Sequence, residues 1–264
     1  MTTTTTHLVE HWRTLWAYPP ADVDHAEVEG RIEAVPPPWD YEELVRHELG
    51  FAGSALDIGT GDGEFLRSLE DDLPVEMHAT EGCPQHLARA RAALGPLDVE
   101  VRDYDAAGGG RLPYPDASVD LVLCRHEPYA AAEVARVLRP GGWFLTEQLG
   151  SGCGGDLAAV LGGRPGDRDG GLGQLRREAE DAGLVVERAE SWAGPVRFGS
   201  LDALVVHLRC AARGVSGTDL DRYVDELVAL HADGGPVTLT ERRCLLVARL
   251  PQPEHGRTDP FLYW

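Results

Sequence analysis

The stretch Ala55–Leu66, ALDIGTGDGEFL, runs from a short apolar segment through an acid to glycines at 59, 61 and 63, then back to apolar residues. It reads as a strand, a tight turn and the start of a helix. Gly59, Gly61 and Gly63 lack a Cβ, so the turn can take positive φ and let a ligand lie against the backbone. Many nucleotide-binding α/β proteins carry a turn of this kind, so its surroundings decide what it serves.

The surroundings are acidic. Asp57 precedes the glycines, while Asp62 and Glu64 lie within and just after the turn. This loop would repel a pyrophosphate. It suits a cationic ligand such as S-adenosyl-L-methionine (SAM), which carries a sulfonium and an amino group and has no phosphate. A second acid, Glu81, closes the next apolar segment, Val75–Thr80, where a carboxylate can accept both hydroxyls of a ribose. That feature alone is compatible with a nicotinamide cofactor too.

Three further segments follow in order: RDYDA at Arg102–Ala106, LPYPDASVDLVLCRHEPY at Leu112–Tyr129, and EVARVLRPGGWFLTEQ at Glu133–Gln148. A helix that ends in Leu-Arg-Pro-Gly-Gly and runs into an apolar strand is more specific than a glycine triplet. With these motifs in this order, the chain resembles the class I SAM-dependent methyltransferases. The resemblance covers roughly residues 44–188 and is loose elsewhere; within that superfamily the chain is similar to the bacterial small-molecule type.

The resemblance implies a set of residue roles. Asp57 and the backbone of Gly59, Thr60 and Gly61 approach the methionine part of SAM, Asp57 helping to hold the ammonium. Glu81 takes the ribose hydroxyls, and Gly82 and Cys83 lie near the adenine. Asp103 accepts from the adenine amino group while Tyr104 offers its backbone amide; Asp105 is the alternative acceptor if the register slips. Arg125 can pair with an acid of the loop, with the SAM carboxylate, or within a structural ion pair.

For the chemistry, His126 follows the fourth core strand, and histidine is the side-chain type suited to proton transfer near neutral pH, which makes it the first candidate base; it can instead orient a loop or touch the methionine portion. Glu127 is the rival, able to accept a proton from the acceptor or to hold its ammonium. Pro128 and Tyr129 can wall an acceptor pocket.

Composition bounds the function. The chain has 264 residues and a net charge of −20, so it repels phosphates and anionic membranes, and neither nucleic acid nor membrane is expected as a partner. Five cysteines share no metal-ligand spacing and suit reduced thiols in the cytoplasm. The ten histidines give no metal site either; only His7 and His11 sit four apart on one helical face, too few for a site.

Along the chain, strand and helix alternate through Ala55–Gln148, the pattern of a parallel sheet with helices on both faces. The expectation is an α/β fold: a seven-stranded, mostly parallel Rossmann-like sheet whose last strand, Cys244–Leu250, enters antiparallel. A helical cap occupies residues 1–50, with a helix at His7–Tyr18 after a frayed run of threonines; the SAM-binding core spans 51–195. A helical insertion on the substrate side takes 196–240, with helices at Leu201–Ala212 and Leu220–Leu230, and the last strand and tail take 241–264. All of this is read as one domain. The glycine-rich stretch 162–174 suits a lid or a linker, and the apolar tail Phe261–Trp264 suits docking on the body or on a second subunit of a homodimer.

The function expected is methyl transfer from SAM to an oxygen or nitrogen of a small molecule, in the specialised, natural-product metabolism of a high-GC bacterium. The alternatives are a SAM-binding protein of the same fold that transfers no methyl group, and a nicotinamide-dependent oxidoreductase.

Overall fold

A computed structural model describes residues 3–17, 32–105, 108–149, 171–211, 220–222, 224–233 and 236–252. The glycine-rich stretch 150–170 and the tail beyond residue 252, including Phe261–Trp264, lie outside the described residues.

The elements are α1 (Thr3–Ala17), β1 (Ile32–Ala34), α2 (Tyr41–Leu49), β2 (Ser54–Ile58), α3 (Glu64–Ser68), β3 (Glu76–Glu81), α4 (Pro84–Leu94), β4 (Glu100–Asp103) and β5 (Val119–Arg125). They continue with α5 (Ala131–Val137), β6 (Leu138–Leu149), α6 (Leu172–Asp181), β7 (Val185–Phe198), α7 (Leu201–Ala211), α8 (Val224–Asp233) and β8 (Val237–Arg249). One sheet holds all the strands in the order β1-β7-β8-β6-β5-β2-β3-β4. The run from β6 to β4 is parallel, while β8 enters antiparallel between β6 and β7, and β1 is antiparallel to β7.

The sheet therefore has eight strands, which corrects the expected seven. The additional strand, Ile32–Ala34, is three residues long, lies at the edge and is largely exposed. It has no buried alternation to announce it and is followed by three prolines. The threonines are also corrected: Thr3–Thr6 lie inside α1, whose buried residues Val9, Trp12 and Leu15 anchor it on the rest of the molecule.

Alternation along the strands separates two cores. On one face, Ala55, Leu121, Leu123, Leu145, Leu245 and Val247 pack against α2, α3 and α4; on the other, Leu56, Ile58, Val122, Cys124, Phe144 and Leu246 pack beneath α5 and α6.

β7 and β8 are longer than the sequence suggests. Leu149, at the end of β6, pairs with Arg243, so Val237–Arg242 and their partners Ala193–Phe198 run on past the carboxyl ends of the parallel strands. At ~3.4 Å per residue this ribbon projects roughly 20 Å beyond the sheet. A third core forms on it from Trp12, Phe198, Leu204, Leu227 and Leu239, uniting α1 with α7 and α8. Polar contacts pin the same unit: His11 and Trp12 both reach Asp202, at 3.1 and 3.2 Å, and Arg13 binds Asp221. The N-terminal helix and the inserted helices thus make one cap, carried on the edge of the sheet where the parallel strands end.

Candidate functional site

Four acids and one arginine reach that edge from five neighbouring strands. Asp57 is the penultimate residue of β2, Glu81 the last of β3, Asp103 the last of β4 and Arg125 the last of β5, while Glu147 stands near the end of β6. The register places Glu81 beside Asp103 and Arg125 beside Glu147. In an open α/β sheet this edge, where strand order reverses, is where ligands bind.

The glycine loop is held against β3. The amides of Gly59 and Thr60 donate to the Thr80 carbonyl at 3.0 and 2.9 Å, and the Glu81 carboxylate accepts from the amides of Gly61 and Cys83, both at 2.8 Å. Glu81 is buried, so these bonds fix its carboxylate beside the loop. Gly59, Gly61 and Gly63 all take positive φ, as the turn requires. A Cβ on Gly59 would come within 2.7 Å of the Glu127 Cβ, so the Glu127 side chain lies directly against the loop. Asp62 is tied to His86 on α4 and, at 3.3 Å, to Arg89.

Asp57 is buried behind this loop. Burial pushes its carboxyl up to about 6, against the opposing pull of Arg125. On the adenine side of the predicted site, Asp103 is exposed and the Tyr104 amide donates to the Glu81 carbonyl at 3.2 Å. An adenine ring there would have to share that amide.

His126 has a left-handed backbone, φ 58, uncommon for a residue with a Cβ. The turn it belongs to is pinned from β6: the His126 amide donates to the Glu147 carbonyl at 2.9 Å, and the Gln148 side chain donates to the Glu127 carbonyl at 3.0 Å. The His126 ring Nε2 lies 3.1 Å from Glu147 Oε1. The other Glu147 oxygen accepts from the Trp39 indole at 2.7 Å, and Arg125 and Arg243 approach Oε1 at 3.6 and 3.5 Å. Burial alone would raise the Glu147 carboxyl, yet the bonds from His126 and Trp39 and the nearby charges hold it down at about 2. This ionised, buried hub is absent from the sequence reading. Its one signal there was an acid in an otherwise apolar strand, WFLTEQ.

Beside the hub, a groove of about 570 Å³ opens between the Pro36–Pro38 strap, Trp39 and Tyr41 on one side and Arg125, Glu147 and Arg243 on the other. Its size is that of a small-molecule site. His7 is exposed and near Glu10, and His11 is engaged with Asp202. Among the described residues no cluster of His, Cys, Asp and Glu is arranged to hold a metal ion, and no helix is long and apolar enough to cross a membrane.

The profile of the family described as "methyltransferase domain" matches residues 56–146. A curated relative, the demethylmenaquinone methyltransferase of Deinococcus radiodurans, is 34% identical over 114 residues, which cover 40% of this chain and 47% of that protein. The chain thus spans about half the length of the curated relative it matches. Among solved structures, the YcgJ protein of Bacillus subtilis superposes with a TM-score of 0.57 at 18% identity, covering 81% of this chain and 99% of that one. The [4+2]-cyclase SpnF superposes with a TM-score of 0.51 at 22% identity, covering 80% of each chain. These two likenesses concern the fold.

Proposed function

We propose that this protein, whose residues 56–146 match the family described as "methyltransferase domain", is a class I SAM-dependent methyltransferase that transfers the methyl group of SAM to an oxygen or nitrogen of a small molecule, as a cytoplasmic enzyme of bacterial specialised metabolism. One observation carries the reading: a buried, under-neutralised Asp57 and an amide-bound Glu81 flank a glycine loop that holds its own backbone open. The residues fit SAM. Asp57 would hold its ammonium, Glu81 its ribose hydroxyls and the Gly59–Gly61 backbone its methionine chain, with Gly82, Cys83 and Asp103 toward the adenine.

Bound SAM supplies an electrophilic methyl group that is already activated. The protein's share is then mostly proximity and alignment, which can contribute roughly 7–11 kcal/mol of the barrier. Where the acceptor loses a proton, His126 takes it. Glu147 accepts from Nε2–H, which leaves Nδ1 as the basic nitrogen and stabilises the imidazolium that forms. The Glu127 carboxylate, against Gly59, borders the same space.

The test is calorimetric titration of SAM, S-adenosylhomocysteine and NAD into the protein and its Asp57→Ala and Glu81→Ala variants. Micromolar or tighter SAM binding, weakened in both variants and with NAD inert, is the expected result; a folded protein that binds no SAM would sink the reading.

Affinity should also depend on pH. In the free protein Asp57 titrates near 6, above its ordinary 3.8, so its ionisation lowers stability as pH rises through about 4 to 6. A bound ammonium favours the ionised form, so SAM affinity should rise about tenfold between pH 5 and 7. In Asp57→Asn that rise should be absent; its persistence would move the ammonium elsewhere.

A second reading, a SAM-binding protein that transfers no methyl group, draws support from the overlap with the [4+2]-cyclase SpnF, which shows that this architecture also serves other chemistry. Bound SAM that never turns over with any acceptor would favour it.

A further inference from the structure

Resting on the methyltransferase reading, we infer that the groove beside Glu147 is the acceptor site and that it selects acceptors bearing a carboxylate, which Arg125 holds. Six charged residues line the groove, and four are committed within the protein or turned to helix capping. Asp40 accepts the Glu43 amide at the start of α2, and Glu42 binds Arg46. Arg243 is bound to Glu241, and each Glu147 oxygen already accepts a hydrogen bond, one from Trp39 and one from His126. Glu43 is exposed at the mouth.

Arg125 differs from the rest. Its guanidinium carbon stands 5.2 Å from the centre of the Phe65 ring and 5.8 Å from that of Tyr41, and its nearest carboxylate oxygen, Glu147 Oε1, is 3.6 Å away, within ion-pair reach but too far for a hydrogen bond. Among the described residues it donates no hydrogen bond. Its side chain is 39% exposed, enough to present the donor fork to the groove while the aromatic rings fix its plane. A planar fork with unspent donors, mounted on two rings and facing a cavity, matches a carboxylate in bidentate fashion. The proline strap opposite gives a ring-bearing acid an apolar wall.

The same fork could in principle meet the carboxylate of the cofactor, so the test separates the two. Benzoate, benzamide and benzylamine are each titrated, by ligand-observed NMR, into protein saturated with S-adenosylhomocysteine, and into its Arg125→Gln and Arg125→Lys variants. Benzoate should bind best, and weaken roughly 10- to 100-fold in Arg125→Gln, the range of a charge-assisted hydrogen bond. Arg125→Lys should fall between; it keeps the charge beside Asp57, so its S-adenosylhomocysteine affinity should hold, while in Arg125→Gln that affinity should fall far less than the benzoate affinity, and the retained cofactor binding also certifies that the variants fold.

Benzamide or benzylamine binding as well as benzoate, or no benzoate binding at millimolar concentration, would overturn the inference. So would a loss of S-adenosylhomocysteine affinity in Arg125→Gln with benzoate unaffected, since the guanidinium would then serve the cofactor. Failure of wild-type protein to bind S-adenosylhomocysteine at all would instead remove the methyltransferase reading beneath it.

Discussion

Glu147→Ala is expected to destabilise the protein by about 3–5 kcal/mol at pH 7, measured by urea denaturation, because removing one side of a buried charged cluster strands the rest. The Trp39 indole would lose its acceptor, and His126 and Arg243 would lose the carboxylate between them. The hub also joins distant parts of the chain, since Trp39 belongs to the strap before α2 while His126 follows β5 and Arg243 lies on β8. Its contribution depends on pH in a fixed sense. A carboxyl held at about 2 in the fold, against 4.5 unfolded, stabilises the protein above pH 4.5 and loses that contribution as pH falls from 4.5 toward 2. The gap between wild type and Glu147→Ala should therefore narrow by about 3 kcal/mol over that window. A variant within about 1 kcal/mol of wild type at pH 7 would show that the cluster contributes no net stability.

Gly59→Ala should abolish tight SAM binding while leaving the fold intact. The residue's φ of 75 costs a side chain about 1–2 kcal/mol, and the added methyl would also have to displace Glu127. Together these amount to about a 100-fold loss of affinity, if the loop opens to relieve them. Gly183→Ala is the matched control: its φ is 86, a Cβ there meets nothing within 4 Å, and it lies between α6 and β7. It should lose similar stability with SAM affinity unchanged. Equal affinities in the two variants would remove the glycine loop from the cofactor site.

The parts of this account that are legible in the sequence are those with local causes. The alternation from Ala55 to Gln148 specifies a parallel sheet, and Asp57, Glu81, Asp103 and Arg125 fall at its strand ends because each closes an apolar run. The antiparallel entry of the last strand is also found. What escapes depends on contacts remote in sequence. Ile32–Ala34 becomes a strand only because the far end of β7 offers it an edge. The ribbon continues through Gly194 and Pro195, which pair with Glu241 and Thr240 on the facing strand. Glu147 gains its role from Trp39, 108 residues earlier, a relation no local pattern encodes. Arg125 reads in the sequence as a partner of a loop acid, of the SAM carboxylate or of a structural ion pair, and it does stand 3.6 Å from Glu147; its place between Tyr41 and Phe65 depends on the packing of α2 and α3.

The central claim is that SAM lies across the carboxyl ends of β2 and β3, and a crystal structure of the protein with S-adenosylhomocysteine tests it most directly. The account predicts the ribose hydroxyls on Glu81, the ammonium on Asp57 and the homocysteine chain over Gly59–Gly61. A ligand seated elsewhere, with the Glu81 carboxylate still given only to the amides of Gly61 and Cys83, would contradict it.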